Sequence, residues 1–82
     1  MKSILIILTL INLTAKNQHG IALQNQAGSY RIQANGPQRD YRIKRGTYAV
    51  HLETDAHVFI YGVEVCEGDL IEFSEHIQIE IK

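Results

Sequence analysis

The sequence predicts an all-β fold, a small antiparallel β-sandwich of jelly-roll type or a small barrel, with about seven or eight short strands. Apolar residues recur at every second position, which is the period at which side chains alternate across a strand. Glycine, asparagine, aspartate and serine separate these stretches, and no helical period is present. The 82 residues contain no repeat or linker, so we expect one β domain over residues 1–82.

The first predicted strand covers residues 3–14 and is apolar on both faces. Its even-numbered apolar positions are Ile4, Ile6, Leu8 and Leu10. Its odd-numbered apolar positions are Leu5, Ile7, Ile11 and Leu13. Because only one face of a strand in a small antiparallel domain normally meets the core, the second apolar face needs a cover from a loop, a tail or another chain. We therefore expect the odd-numbered set to lie at a subunit interface.

The same segment has the outline of a secretory signal, with Lys2 before an apolar stretch and Ala15 near a cleavage position. It is too short, and too interrupted by Thr9 and Asn12, to span a bilayer. We interpret it as a strand of the mature domain. A cleaved signal on a secreted protein is the alternative.

Inward-facing residues predict the later strands in chain order. They are Ile21 and Leu23; Tyr30, Ile32 and Ala34; Tyr41 and Ile43; Tyr48, Val50 and Leu52; and Ile77, Ile79 and Ile81. The stretch NGPQRD (35–40) has strong turn chemistry. HVFIYGVEV (57–65) is apolar at nearly every position, which predicts a central strand covered on both faces. CEGD (66–69) predicts a tight turn with Gly68 at a positive φ angle, and LIEF (70–73) predicts a short strand after it.

Charge is distributed unevenly along the chain. Positions 1–47 carry a net charge of +6 and positions 48–82 a net charge of −7, although the whole chain carries −1. The two halves could interleave as neighbouring strands and neutralise each other. Alternatively, the subunit is polar, and its basic face meets the acidic face of the next copy.

The stretch HLETDAH (51–57) alternates imidazole and carboxylate groups at His51, Glu53, Asp55 and His57. On one straight strand these side chains would share a face and suit a divalent metal. However, ETDA (53–56) has the composition of a hairpin loop, and a chain reversal there would separate the four groups. We expect a loop and no metal site, with His51 and His57 as the candidate ligands if a metal is bound.

The sequence offers little for catalysis. The lone cysteine, Cys66, could act with His76 as a nucleophile pair, but no recognisable oxyanion loop or orienting acid accompanies them. No phosphate loop, paired-cysteine motif or nucleotide fingerprint is present. We therefore expect no enzyme, no catalytic residue and no cofactor.

A row of outward cations at Arg31, Arg42 and Lys44 is a candidate basic contact face. Small barrels bind single-stranded nucleic acid by combining such charge with aromatic stacking platforms. Here Tyr30 and Tyr41 alternate onto the opposite face, so nucleic acid is not the expected partner. A module that binds single-stranded nucleic acid, or a glycan through Phe59 and Tyr61, is the second hypothesis.

Together these features favour a non-enzymatic structural subunit of a larger assembly. Its expected partners are copies of itself or other structural proteins. Short, cysteine-poor, all-β chains of this kind are common among small virion proteins, such as bacteriophage capsid, cement, decoration or tail proteins. We therefore expect a virion location, with secretion as the alternative.

Overall fold

The computed structural model describes residues 4–14, 19–34 and 36–82, which form nine β-strands and no helix. The strands are β1 (Leu5–Asn12), β2 (Ile21–Asn25), β3 (Gly28–Ile32), β4 (Gln38–Lys44), β5 (Gly46–Leu52), β6 (Val58–Ile60), β7 (Val63–Glu64), β8 (Leu70–Phe73) and β9 (Ile77–Ile81). The all-β prediction is confirmed.

The strands form two sheets that enclose one core. Sheet A has five strands in the order β4-β1-β9-β6-β7, and sheet B has four strands in the order β3-β2-β5-β8. Neighbouring strands are antiparallel, except that β1 and β9 pair in parallel. A parallel pair needs a long connection, and seven strands of the chain separate these two. The architecture is a small β-sandwich with one parallel pair, rather than a purely antiparallel one.

Alternation along each strand fills the core as the sequence predicts. Ile77, Ile79 and Ile81 of β9 are at most 1% exposed. Most of the other predicted inward positions are also buried, while Tyr30, Tyr41 and Leu52 are partly buried and pack against the core. The inward set is therefore confirmed.

The N-terminal strand lies between β4 and β9, in the interior of sheet A. Ile6, Leu8 and Leu10 enter the core and are at most 6% exposed. On the opposite face, Leu5 is 42% exposed and Ile7 is 37% exposed. Position 3 of the predicted strand lies outside the described residues. No described segment of the chain covers this outer face, so cover by a loop or tail is not seen within the described residues, and cover by another chain stays a prediction.

The apolar run 57–65 does not form one central strand. It folds back as the hairpin β6–β7, in which Phe59 pairs with Glu64 and Ile60 pairs with Val63. The turn residues Tyr61 and Gly62 have φ angles of 54° and 75°, the sign pattern of a type I′ turn. Because β7 is an edge strand, Val63 is 66% exposed, and the prediction of a strand covered on both faces is wrong.

The topology separates the two charged halves of the chain. Strands β1 to β4 form one flank of the sandwich, and β5 to β9 form the other. Within the sheets, strands of the two halves pair at two seams, between β1 and β9 and between β2 and β5. Strands of the two halves are therefore neighbours only at the middle of each sheet and do not alternate strand by strand. Among the described residues, the cations Arg31, Arg39, Arg42, Lys44 and Arg45 lie on the first flank, and the acidic residues of positions 48–82 lie on the second.

Candidate assembly surface

The stretch 51–57 crosses from one sheet to the other. His51 belongs to β5 in sheet B, whereas His57 directly precedes β6 in sheet A. A loop between strands is confirmed, but it is a crossover between sheets rather than a hairpin. The two histidines consequently have different neighbours.

Each histidine contacts a glutamate. Nδ1 of His51 lies 2.6 Å from Oε2 of Glu67, whose Oε1 accepts the Leu52 N–H at 2.7 Å. Nδ1 of His57 lies 2.5 Å from Oε2 of Glu64. Among the described residues, no group of three His, Cys, Asp or Glu side chains is placed to hold a metal ion. The His51–Glu67 contact connects β5 to the turn before β8. The His57–Glu64 contact connects the residue before β6 to β7.

Two carboxylates on the outer surface of sheet B have lowered pKa values. The hydrogen bond with His51, followed by the bond from the Leu52 N–H, lowers the pKa of Glu67. The pKa of Glu53 is lowered chiefly by its hydrogen bonds from Arg31. The guanidinium of Arg31 donates from Nε at 3.1 Å and from Nη2 at 2.8 Å to the two oxygens of Glu53. These ionised groups are structural contacts between neighbouring segments.

The three candidate basic residues do not share one surface. Arg31 lies on β3 in sheet B and is bonded to Glu53, while Arg42 and Lys44 lie on β4 in sheet A. All three alternate with core-facing residues, so Arg31 and the β4 pair point from opposite faces of the sandwich.

The tyrosines beside these cations connect the edges of the two sheets. The Tyr30 hydroxyl accepts the Lys44 N–H at 3.1 Å, and the Tyr41 hydroxyl donates to the Gln33 carbonyl at 2.6 Å. Tyr30 also packs edge-on against Tyr48, with 5.9 Å between ring centroids. Both rings are thus part of the fold rather than a free stacking platform.

The remaining sequence candidates occupy separate places. Cys66 is exposed in the turn between β7 and β8, where its N–H donates to Oδ2 of Asp69 at 2.8 Å. Gly68 in this turn has a φ angle of 86°, so the predicted tight turn is confirmed. Phe59 is half-buried, with Nζ of Lys82 4.7 Å from its ring centroid. Tyr61 lies beyond the strand, at the hairpin tip.

The outer surface of sheet A around β1 brings the predicted interface residues together. We define the β1 face as this surface and its flanking strands: Leu5, Ile7, Thr9 and Ile11 on β1; Asp40, Arg42 and Lys44 on β4; and Gln78 and Glu80 on β9. Leu13 follows the end of β1 and is 59% exposed. Because β1 is an interior strand, its apolar row runs along the surface of the sheet rather than along an edge.

Strand register decides which polar group flanks each apolar one. Ile7 pairs with Arg42, and Leu5 pairs with Lys44. Ile11 lies between Gln38 on one side and Glu80 on the other.

Two charged side chains of β4 lie beside the apolar row on this face. Leu5, Ile7 and Arg42, with Ile6, line a shallow depression of about 220 Å³. Two residues from Arg42 along β4, Oδ1 of Asp40 accepts a hydrogen bond from the Thr9 hydroxyl at 2.9 Å. A cation and an anion therefore lie on the same strand, two residues apart, beside the apolar row. We call each pair of opposite residues on neighbouring strands a rung. Sequence reasoning did not select Asp40 or Thr9, because only the pairing of β1 with β4 shows that they are neighbours.

No protein-family model, curated protein or solved structure matches this chain. The described residues contain no helix that is long and apolar enough to cross a membrane.

Proposed function

We propose that this chain is a non-enzymatic structural subunit that packs against copies of itself through the β1 face. The observation that carries the proposal is the apolar row on an interior strand, with Leu5 42% exposed and Ile7 37% exposed. In antiparallel sheets with one face on the core, the outer face is normally polar. A second copy of the chain offers a matching apolar surface.

The energetics favour many weak contacts over one tight pair. Full burial of a leucine or isoleucine contributes about 1.5–3 kcal/mol, so the exposed parts of Leu5 and Ile7 represent about 1 kcal/mol each. Two copies would together gain about 4 kcal/mol from these residues, which is at the low end of the cost of association. Repeated contacts within a larger assembly raise the effective concentration and stabilise such weak interfaces.

Charge polarity supports a second kind of contact. The described charges of strands β1 to β4 and the residue after them are mostly cationic, those of strands β5 to β9 and their loops are mostly anionic, and these two groups of strands occupy opposite sides of each sheet. The basic flank of one copy is complementary to the acidic flank of the next. Such a contact is heterologous and generates rings or filaments.

The assembly that we propose is a virus particle, in which the chain serves as a coat, cement, decoration or tail subunit. Support for this placement is the combination of small size, all-β architecture and a single cysteine among 82 residues. This combination is common among small virion proteins.

Nucleic-acid binding is the less favoured function. Arg31 is bonded to Glu53, and it points away from the surface that carries Arg42 and Lys44. The tyrosine hydroxyls are bonded to backbone groups at the sheet edges. Retention of the chain on an oligonucleotide column at low salt, with release at high salt, would support nucleic-acid binding instead.

Sedimentation equilibrium tests the proposal directly. The full-length chain is examined from about 10 μM to about 1 mM, a range that captures interfaces of micromolar to millimolar affinity. We expect the average mass to rise with concentration above the 9.3 kDa of one chain. A constant monomer mass over the whole range would overturn self-assembly.

A further inference from the structure

We propose that two copies pack β1 face to β1 face about a twofold axis that runs across the strands at the level of Leu8. This arrangement places Arg42 of each copy opposite Asp40 of the other. The inference deepens the proposed self-assembly and depends on it, since it specifies the geometry and the specificity of the contact.

The positions of the two charged residues along β4 carry this inference. Arg42 lies beside Ile7 and Asp40 lies beside Thr9, so they stand one rung on either side of the level of Leu8. A twofold rotation about an axis across the strands stacks β4 of one copy on β4 of the other. The same rotation places the rung of Arg42 in one copy opposite the rung of Asp40 in the other. The interface is isologous, so the same ion pair forms twice.

The same rotation matches the apolar row. Leu5 lies three rungs from the axis on one side and Ile11 lies three rungs from it on the other, so each faces the other across the interface. Ile11 of one copy is thereby placed above the depression lined by Leu5, Ile7 and Arg42 of its partner.

Like charges are kept apart in this arrangement. Glu80 lies beside Ile11, three rungs from the axis, so the two Glu80 residues are separated by six rungs, about 20 Å at 3.3 Å per residue. Packed sheets cross at about 30°. At this angle β4, which lies about 5 Å from β1, is shifted along the strand direction by only about 2.5 Å relative to β4 of the second copy. An arginine side chain spans that displacement.

Neighbouring arrangements lack this match. An axis at the level of Ile7 would pair Lys44 with Asp40, but it would also place the two Arg42 guanidinium groups opposite each other. An axis along the strands would stack β4 on β9, with Arg42 four rungs from Glu80. Only the level of Leu8 pairs Arg42 with Asp40.

Charge exchange tests the arrangement, with sedimentation equilibrium as the readout. In R42D, the introduced carboxylate faces Asp40 of the second copy, and in D40R two cations face each other. We expect each single variant to weaken self-association at least tenfold. The double variant R42D/D40R restores opposite charges across the interface and should lie within about threefold of the original affinity.

A mixture of the two single variants is the sharpest measurement. R42D and D40R repel themselves but complement each other at both ion pairs, so native mass spectrometry should show mixed pairs in excess of either homodimer. Arg39→Asp is the matched control, because it changes the charge of the same strand equally but pairs with the core-facing Leu10. Circular dichroism checks the folding of each variant. Should a charge reversal unfold the chain, Arg42→Gln and Asp40→Asn remove the ion pair without introducing repulsion, and each should weaken association, whereas their double variant should weaken it no further than either single variant.

The outcomes separate this geometry from the proposed function. An original chain that remains monomeric overturns self-assembly itself. An original chain that associates, together with single variants that associate equally well or a double variant that stays weak, overturns the twofold geometry and leaves self-assembly standing. Weakened single variants, restored association of the double variant and preferential mixed pairing support the geometry.

Discussion

Substitution of Ile7 by glutamate tests whether the apolar row of the β1 face is the interface between copies. Ile7 lies on the interior strand β1, pairs with Arg42 and is 37% exposed. Because the introduced carboxylate would lie beside Arg42, the two groups form an opposite-charge cross-strand pair that contributes about 0.2–1 kcal/mol to the isolated chain. The substitution should therefore reduce assembly far more than it reduces folding.

The magnitude follows from the exposed fraction of the side chain. Removing the 37% of Ile7 that remains exposed forfeits about 1 kcal/mol per copy on association. Burying an incompletely paired carboxylate costs at least a further 1–3 kcal/mol per copy. Over two copies the loss is about 4–8 kcal/mol, which weakens association on the order of 10³-fold or more. The buried part of the side chain costs the single chain only about 1–2 kcal/mol of unfolding free energy, before the gain from Arg42.

Two assays separate these effects. Sedimentation equilibrium measures association, and urea denaturation monitored by circular dichroism measures the unfolding free energy of the same sample. Val63→Glu and Leu70→Glu are matched controls, since both residues lie off the β1 face and are more exposed, at 66% and 73%. If general surface hydrophobicity drove association, these controls would reduce it at least as strongly as Ile7→Glu.

Ile7→Glu that folds and associates like the original chain would refute the assignment of the β1 face as the interface. Equal losses in Ile7→Glu and in both controls would show that association is nonspecific. Loss of association confined to Ile7→Glu is the expected result.

Three further predictions concern the fold. Gly20→Ala should lower the unfolding free energy by about 2–3 kcal/mol, because an added Cβ would lie 2.0 Å from the Ile32 carbonyl oxygen. Tyr61→Asn should raise the urea midpoint by an amount equivalent to about 0.5 kcal/mol, because asparagine adopts a φ angle of 54° with less strain than tyrosine. Glu67→Gln should lower the melting temperature at pH 7 and by less in increasingly acidic buffer, because the lowered pKa of Glu67 contributes stability above its ordinary value of 4.5, and this stability is lost as the pH falls through the folded-state pKa.

Each of these predictions has a control and a contrary result. Ser29→Ala, at an exposed position of the edge strand β3, should be nearly neutral. A Gly20→Ala variant as stable as the original chain would contradict the close approach of Gly20 to Ile32. Tyr61→Phe retains the strained turn and should leave the midpoint unchanged, while a destabilised Tyr61→Asn would show that the ring packs more strongly than its 55% exposure indicates. A stability difference between Glu67→Gln and the original chain that is constant from pH 3 to 7 would exclude the ionised contact as its cause.

Local patterns in the sequence determined the elements of this protein. Alternation identifies Ile77, Ile79 and Ile81 as core residues, because the strand period applies whatever the neighbouring strands are. Gly68 could be placed in a tight turn because a positive φ angle favours glycine. The apolar character of both faces of residues 3–14 led to the prediction of an interface, which the self-association measurements test.

Tertiary structure decided which strands are neighbours, and with them the candidate site. Residues 53–56 have the composition of a hairpin loop, yet they lie in the connection between two sheets, because β5 and β6 pair with strands that are distant in the chain. The separation of charge into two flanks likewise follows from strand order rather than chain order. The interface role proposed for Arg42 and Asp40 follows only from the register of β1 against β4, which places them on either side of the level of Leu8. Such register is set by hydrophobic packing between residues far apart in the chain, so no local pattern contains it.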